Sequence, residues 1–239
     1  MTGQIVLVVV VLVATNVWVH VGPRRSHVWT GPLAGLALLV LGRLAGLSWA
    51  QLGLAPASLP VGIAVGLAGA ALIAAAVAVA ASLPRTRGAF LDTRYDLALP
   101  AALRTALVTI PLATVVAEEC AFRGVIWGLV DRDVGGTAAT VASSLLFGVW
   151  HVLPALDLAR TSTAVRGPGS GSRRRTGLAV LGTVVGTALA GVVLAELRRR
   201  TGSLAALFLV HWAANGSGVI ASSLVWARRR ASEGVTRAG

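Results

Sequence analysis

The chain has 239 residues, 56% of them hydrophobic and 13% charged, with a formal net charge of +12. Soluble domains carry about a quarter of their residues as charges, so this composition, with a mean hydropathy of +0.80, excludes an ordinary water-soluble domain. It predicts an all-α, polytopic transmembrane helical bundle.

All 21 basic residues are arginines gathered between apolar runs. They read as the flanks of membrane helices rather than as a nucleic-acid surface. The single cysteine, Cys120, leaves no internal disulfide to hold the fold.

A bilayer core takes about 20 apolar residues per helix. The runs at 5–21, 32–47, 61–81, 97–130, 137–156, 177–197 and 204–226 predict seven spans, or eight with a re-entrant segment. The first span lacks a basic leader and reads as a retained helix. Trp18, Trp29, Trp49 and Trp226 fall near span ends as interfacial anchors, whereas Trp127, Trp150 and Trp212 read as packing residues. "GIAVG" (62–66) and "GTVVG" (182–186) are small-xxx-small patterns that admit a close helix neighbour. The fourth run exceeds one crossing, which predicts a tilt or a break near Pro111.

Residues 159–175 are Gly-, Ser- and Arg-rich and read as a flexible cytoplasmic loop. The organisation is an N-terminal three-helix region at 1–96, a membrane core at 97–226 and a basic tail at 227–239. With the N-terminus outside, inner segments hold Arg24, Arg25, Arg85, Arg87, Arg94, Arg160, Arg166, Arg173–Arg175, Arg228–Arg230 and Arg237. Outer segments hold only Arg132 and Arg198–Arg200. That bias predicts an N-out, C-in protein, and the lysine-free, Ala-, Gly- and Val-rich composition points to a bacterial plasma membrane.

Charges at mid-bilayer cost at least about 2.5–3.5 kcal/mol each, so they need a partner or a task. Arg43 and Arg104 sit near span ends, where a long side chain snorkels to the headgroups, and His20 and His27 read as interfacial. The informative set is Glu118, Glu119 and Arg123 in "AEECAFRG" (117–124), His151 in "FGVWH" (147–151), and His211 with Asn215 in "HWAAN" (211–215).

Helical spacing puts Glu119 and Arg123 on one face as a structural ion pair. Glu118, rotated by about 100°, is left free for chemistry. By helical rise, Glu118 and His151 lie roughly 18 and 21 Å below the outer ends of their spans, and His211 and Asn215 roughly 10 and 16 Å below theirs. One buried site at mid-membrane depth is the expectation.

At these residues the chain resembles the CPBP group of intramembrane proteases, the CAAX-processing and Abi (bacteriocin-immunity) family. That family's pattern is Glu-Glu-x-x-x-Arg, Phe-x-x-x-His and His-x-x-x-Asn on successive late helices, and "LGL" at 52–54 resembles another of its segments.

The resemblance implies an intramembrane endopeptidase in which Glu118 activates water and His151 orients it or shares its proton. His211 and Asn215 would donate to the oxyanion, while Glu119 and Arg123 hold the helix. Zinc on Glu118, His151 and His211 is an admissible but disfavoured alternative, because Asn215 is a poor zinc ligand. No His-Glu-x-x-His helix is present either. No cofactor is therefore required.

The implied partners are the lipid bilayer and a peptide or protein substrate, lipidated in CAAX relatives, with no nucleic acid. The competing reading is a non-catalytic membrane scaffold or self-immunity protein that binds a partner through the same cluster. A transporter is opposed by the absence of inverted repeats.

Overall fold

A computed structural model describes residues 2–21, 23, 26–163 and 173–238. Arg24, Arg25, Arg166 and the central part of the polar loop, 164–172, lie outside the described residues, as do the side chains of His20, His27 and Arg237.

Among the described residues eight helices of ten residues or more follow one another: α1 (Thr2–Val21), α2 (His27–Leu44), α3 (Leu59–Ser82), α4 (Leu99–Val134), α5 (Gly136–Trp150), α6 (Val152–Thr161), α7 (Arg173–Thr201) and α8 (Leu204–Ala238). No strand forms among them beyond one bridge between Asp92 and Ser162.

Helices α3, α4, α7 and α8 are long and apolar enough to cross a bilayer, α5 and α6 form a bent pair, and α1 and α2 are shorter apolar helices. Leu33 on α2, Leu72 on α3 and Leu189 and Val193 on α7 are exposed. Such apolar faces are unfavourable in water and favourable against lipid. The protein is an integral membrane protein. The basic tail continues α8 as helix to Ala238.

Two features bear on the alternatives left by the sequence. The fourth run is one unbroken helix past Pro111, with wide turns at Thr105–Thr109, Pro111–Val115 and Cys120–Ile126. A proline displaces the carbonyl four residues before it. Turns closed over five residues absorb that displacement where an ordinary α-turn would kink.

The expected single span at 137–156, by contrast, is broken. α5 and α6 meet at 40° around His151. Pro154 lies in the first turn of α6; it has no N–H for the Trp150 carbonyl, and in a continuous helix its ring would clash with that carbonyl.

Chain reversals at the site-distal end use glycines that need a left-handed backbone, Gly135 (φ 103°) between α4 and α5 and Gly202 (φ 67°) between α7 and α8.

The core lies where α1, α2, α4 and α5 meet the 45–54 loop. Val8, Leu38, Leu47, Leu52, Phe122, Ile126, Leu129 and Phe147 are buried together there. Arg43, exposed in the last turn of α2, donates to the Leu47 carbonyl and lies over the Trp49 ring.

Arg198, expected as a loop cation, is buried. Its Nη2 donates to the carbonyls of Ala50 and Gln51 at 3.0 and 2.9 Å, and its guanidinium lies over Trp127. Arg199 and Arg200 share the Glu196 carboxylate.

Helices α3 and α8 run parallel in close contact. Gly62 faces Ser203, Gly66 faces Ala206 and Leu209, and Gly69 faces Val210. A Cβ on Gly62 would lie 2.2 Å from Ser203 Oγ, whereas one on Gly182 or Gly186 would meet nothing within 4 Å. Of the two small-xxx-small patterns only the first is a helix seam. Gly62→Val is expected to cost about 1–3 kcal/mol by overpacking, read as a lower Tm in detergent. Gly182→Val leaves Tm unchanged.

Candidate active site

Near the middle of α4 an ordinary α-helical turn, Val116–Glu119, is set between wide turns. Glu118, Glu119 and Arg123 are all buried there. In a medium that cannot solvate them, their hydrogen-bond partners decide what they can do.

Glu119 Oε1 accepts from Arg123 Nη1 at 3.0 Å and from His211 Nδ1, on α8, at 2.7 Å. A carboxylate beside an arginine only accepts, so His211 carries a proton on Nδ1. Its Nε2 is turned to Glu118 Oε2, 3.8 Å away. Glu119 thus sets the imidazole's orientation from behind, as carboxylates do for functional histidines.

Arg123 lies over the Phe147 ring at 4.0 Å, yet its Nε and Nη2 have no hydrogen-bond partner. The ion pair is held in place without being fully satisfied.

Glu118 is divided between two environments. Its Oε1 accepts from Trp150 Nε1 at 3.0 Å, while its buried Oε2 has no hydrogen-bond partner. The residue borders a cavity of about 160 Å³ formed with Thr15 and Asn16 of α1, Ala113 of α4, and Trp150 and Pro154 at the α5–α6 bend. Beside it an apolar groove of about 310 Å³ runs between α1 and α5 and shares Leu12, Asn16 and Trp150 with the cavity. A carboxylate with one unpartnered oxygen, on a residue that lines a space large enough for water, is the chemically available group here.

The two remaining residues singled out from the sequence stand differently. His151 sits in the α5–α6 bend, where its Nδ1 donates to the Phe147 carbonyl at 2.8 Å. Its ring meets the Phe147 ring edge-on at 4.4 Å, and Phe147 in turn meets His211 at 5.8 Å. Phe147 is therefore in ring contact with both imidazoles. Asn215 lies one turn beyond His211 on α8 and is exposed.

Among the described residues no three His, Cys, Asp or Glu side chains converge as metal ligands. Glu118, His151 and His211 therefore do not fit zinc in this geometry.

Trp150 is the residue that the sequence reading missed. Packing accounts neither for its hydrogen bond to Glu118 nor for that of Trp212 Nε1 to the Ala106 carbonyl at 2.7 Å. Its adjacency to His151 was the available signal, because an indole N–H buried beside a polar cluster usually finds an acceptor.

Trp150→Phe keeps an aromatic ring but removes the indole N–H and its hydrogen bond to the Glu118 carboxylate, a loss of about 1.5–3 kcal/mol that is expected to appear as a lower Tm in detergent.

The family model described as "Type II CAAX prenyl endopeptidase Rce1-like" matches residues 100–217, a stretch that holds the whole polar cluster, Trp150 and Asn215. No curated protein and no solved structure matches the chain.

Proposed function

Over residues 100–217 the chain belongs to the Rce1-like family of type II CAAX prenyl endopeptidases, and from that premise we propose an intramembrane endopeptidase that uses Glu118 as its base and needs no metal. The observation that carries this reading is the buried, unpartnered Oε2 of Glu118, 3.8 Å from His211 Nε2.

A water held between these two atoms gives its proton to Oε2 as its oxygen adds to the scissile carbonyl carbon. The same proton passes to the departing nitrogen as the C–N bond breaks, which restores the carboxylate. Trp150 fixes the opposite carboxylate oxygen, and Glu119 fixes His211. His151, whose Nε2 is left free by the bond at Nδ1, orients the water. Asn215 donates its amide N–H to the oxyanion, a contribution of about 3 kcal/mol where the donor is well placed.

The apolar groove between α1 and α5 takes the lipid chain or apolar segment of the substrate, which leaves the peptide at Glu118. The arginine-rich end, where α3 and α8 finish, faces the cytoplasm. This reading is favoured because at the opposite end Arg198 is consumed internally and Arg199 and Arg200 share one carboxylate.

Proteoliposomes of the purified chain are expected to cleave lipid-anchored peptides at the same rate before and after dialysis against a strong chelator. Loss of activity that zinc alone restores would overturn the metal-free mechanism. The absence of any cleavage across such peptides would favour a non-catalytic, partner-binding role for the cluster.

A further inference from the structure

A second cavity lies away from Glu118, at the end of the α3–α8 seam. It holds about 480 Å³. Its floor is apolar, with Ala81 at the end of α3, Leu91 in the following connector and Val225 on α8; Ala81 and Val225 are buried against each other. Its rim carries Arg87, Arg228 and Arg229.

Depth follows from helix length. Along α8 from Leu204 to Arg228 the rise is roughly 36 Å, and along α3 from Leu59 to Ala81 roughly 33 Å. Both just exceed a hydrocarbon core of about 30 Å. The cavity therefore opens at headgroup level. Exposed Val79 and Leu224 lie within one turn of it toward the membrane interior.

The arginines at this end are unequally compensated. Arg94 is held by Asp92 through its Nε and Nη2. Arg230 pairs with Asp96, and Arg229 with Glu233 at 2.9 Å. Arg87 and Arg228 have no carboxylate partner among the described residues. The Asp92 connector is itself fixed, because Trp226 Nε1 donates to the Asp92 carbonyl at 3.0 Å and Thr163 N donates to that of Leu91. Two uncompensated guanidinium groups thus stand on a braced frame, above an apolar floor, at the depth of lipid phosphates.

We infer that this cavity binds the phosphate of an anionic phospholipid, with Arg87 and Arg228 on the headgroup and the acyl chain running down the α3–α8 surface. Guanidinium forks match phosphate oxygens in pairs, and basic pockets between membrane helices at the cytoplasmic surface suit such headgroups. A soluble anion would use the arginines but would leave the apolar floor and the lipid-facing chain path without a role.

The test uses the full chain in detergent, titrated with phosphatidylglycerol, phosphatidylcholine or inorganic phosphate. Tm is followed, and retained lipid is read by native mass spectrometry. Phosphatidylglycerol is expected to raise Tm by several degrees and to remain bound. Phosphatidylcholine and inorganic phosphate do neither.

The double variant Arg87→Gln, Arg228→Gln loses both effects, while Arg160→Gln with Arg173→Gln, which removes the same charge elsewhere, keeps them. Retained lipid is scored in every variant at temperatures below its own melting point, so a less stable variant still gives a reading. Equal effects of phosphatidylcholine, undiminished binding in the Arg87, Arg228 double variant, or full stabilisation by inorganic phosphate alone would each overturn the lipid assignment.

Discussion

Glu118→Gln is expected to lower kcat by about 10²–10⁴-fold while the protein inserts and melts as the parent does. The substitution is nearly isosteric. The amide oxygen still accepts from Trp150 Nε1, which now sits 3.0 Å from Glu118 Oε1, so the carboxamide keeps the carboxylate's place. What it loses is the basic Oε2, which has no hydrogen-bond partner and lies 3.8 Å from His211 Nε2.

Glu119→Gln affects other bonds, because Glu119 accepts from both Arg123 and His211. It should lower stability as well as rate. The contrast between neighbouring glutamates separates a role in proton transfer from a role in holding the site together. The measurement is initial cleavage rate in proteoliposomes, with Tm recorded for each variant. A Glu118→Gln protein that cleaves at the parental rate would end the assignment of the base.

Arg123→Met should be the most destabilising single change in the site, by about 3–5 kcal/mol, because it strands a buried carboxylate. Arg123 is fully buried and Glu119 nearly so. With the arginine gone, only His211 Nδ1 remains to hold Glu119 Oε1, while Oε2 already lacks a partner.

The pair is not a large net gain for the fold, however, since Arg123 Nε and Nη2 are buried without acceptors. The double change Glu119→Gln with Arg123→Met is therefore expected to recover most of the lost stability and none of the activity. Thermal unfolding in one detergent, across the two single changes and the double, gives the coupling directly. Additive losses would show that the two residues do not act as a unit.

The fold was largely legible because lipid-crossing helices must each satisfy their backbone internally, which ties apolar run length to element position. The spacing of Glu119 and Arg123 was readable for a similar reason, since neighbours four apart on a helix meet whatever surrounds them.

What escaped depends on contacts between distant segments. The sequence shows Arg198 as one of three consecutive arginines at a helix end, and only the Ala50 and Gln51 carbonyls and the Trp127 ring distinguish it from Arg199. Trp150 differs from Trp127 in the same way, through its distant partner Glu118. The bend at His151 was within reach of sequence reasoning, because Pro154 stands four residues after Trp150. Hydropathy smooths over a proline, and the 137–156 run hid it.

The wide turns of α4 have a consequence for how this helix accepts change. A turn closed over five residues is geometrically an ordinary α-helix into which one extra residue has been inserted. Two such turns precede Glu118, at Thr105–Thr109 and Pro111–Val115, and one follows it, at Cys120–Ile126. The helix therefore carries spare stitches on both sides of Glu118. A single-residue deletion within 105–109 can be taken up by rewinding that turn, leaving everything downstream in phase, whereas the same deletion within 116–119 would shorten the one ordinary turn that carries Glu118 itself.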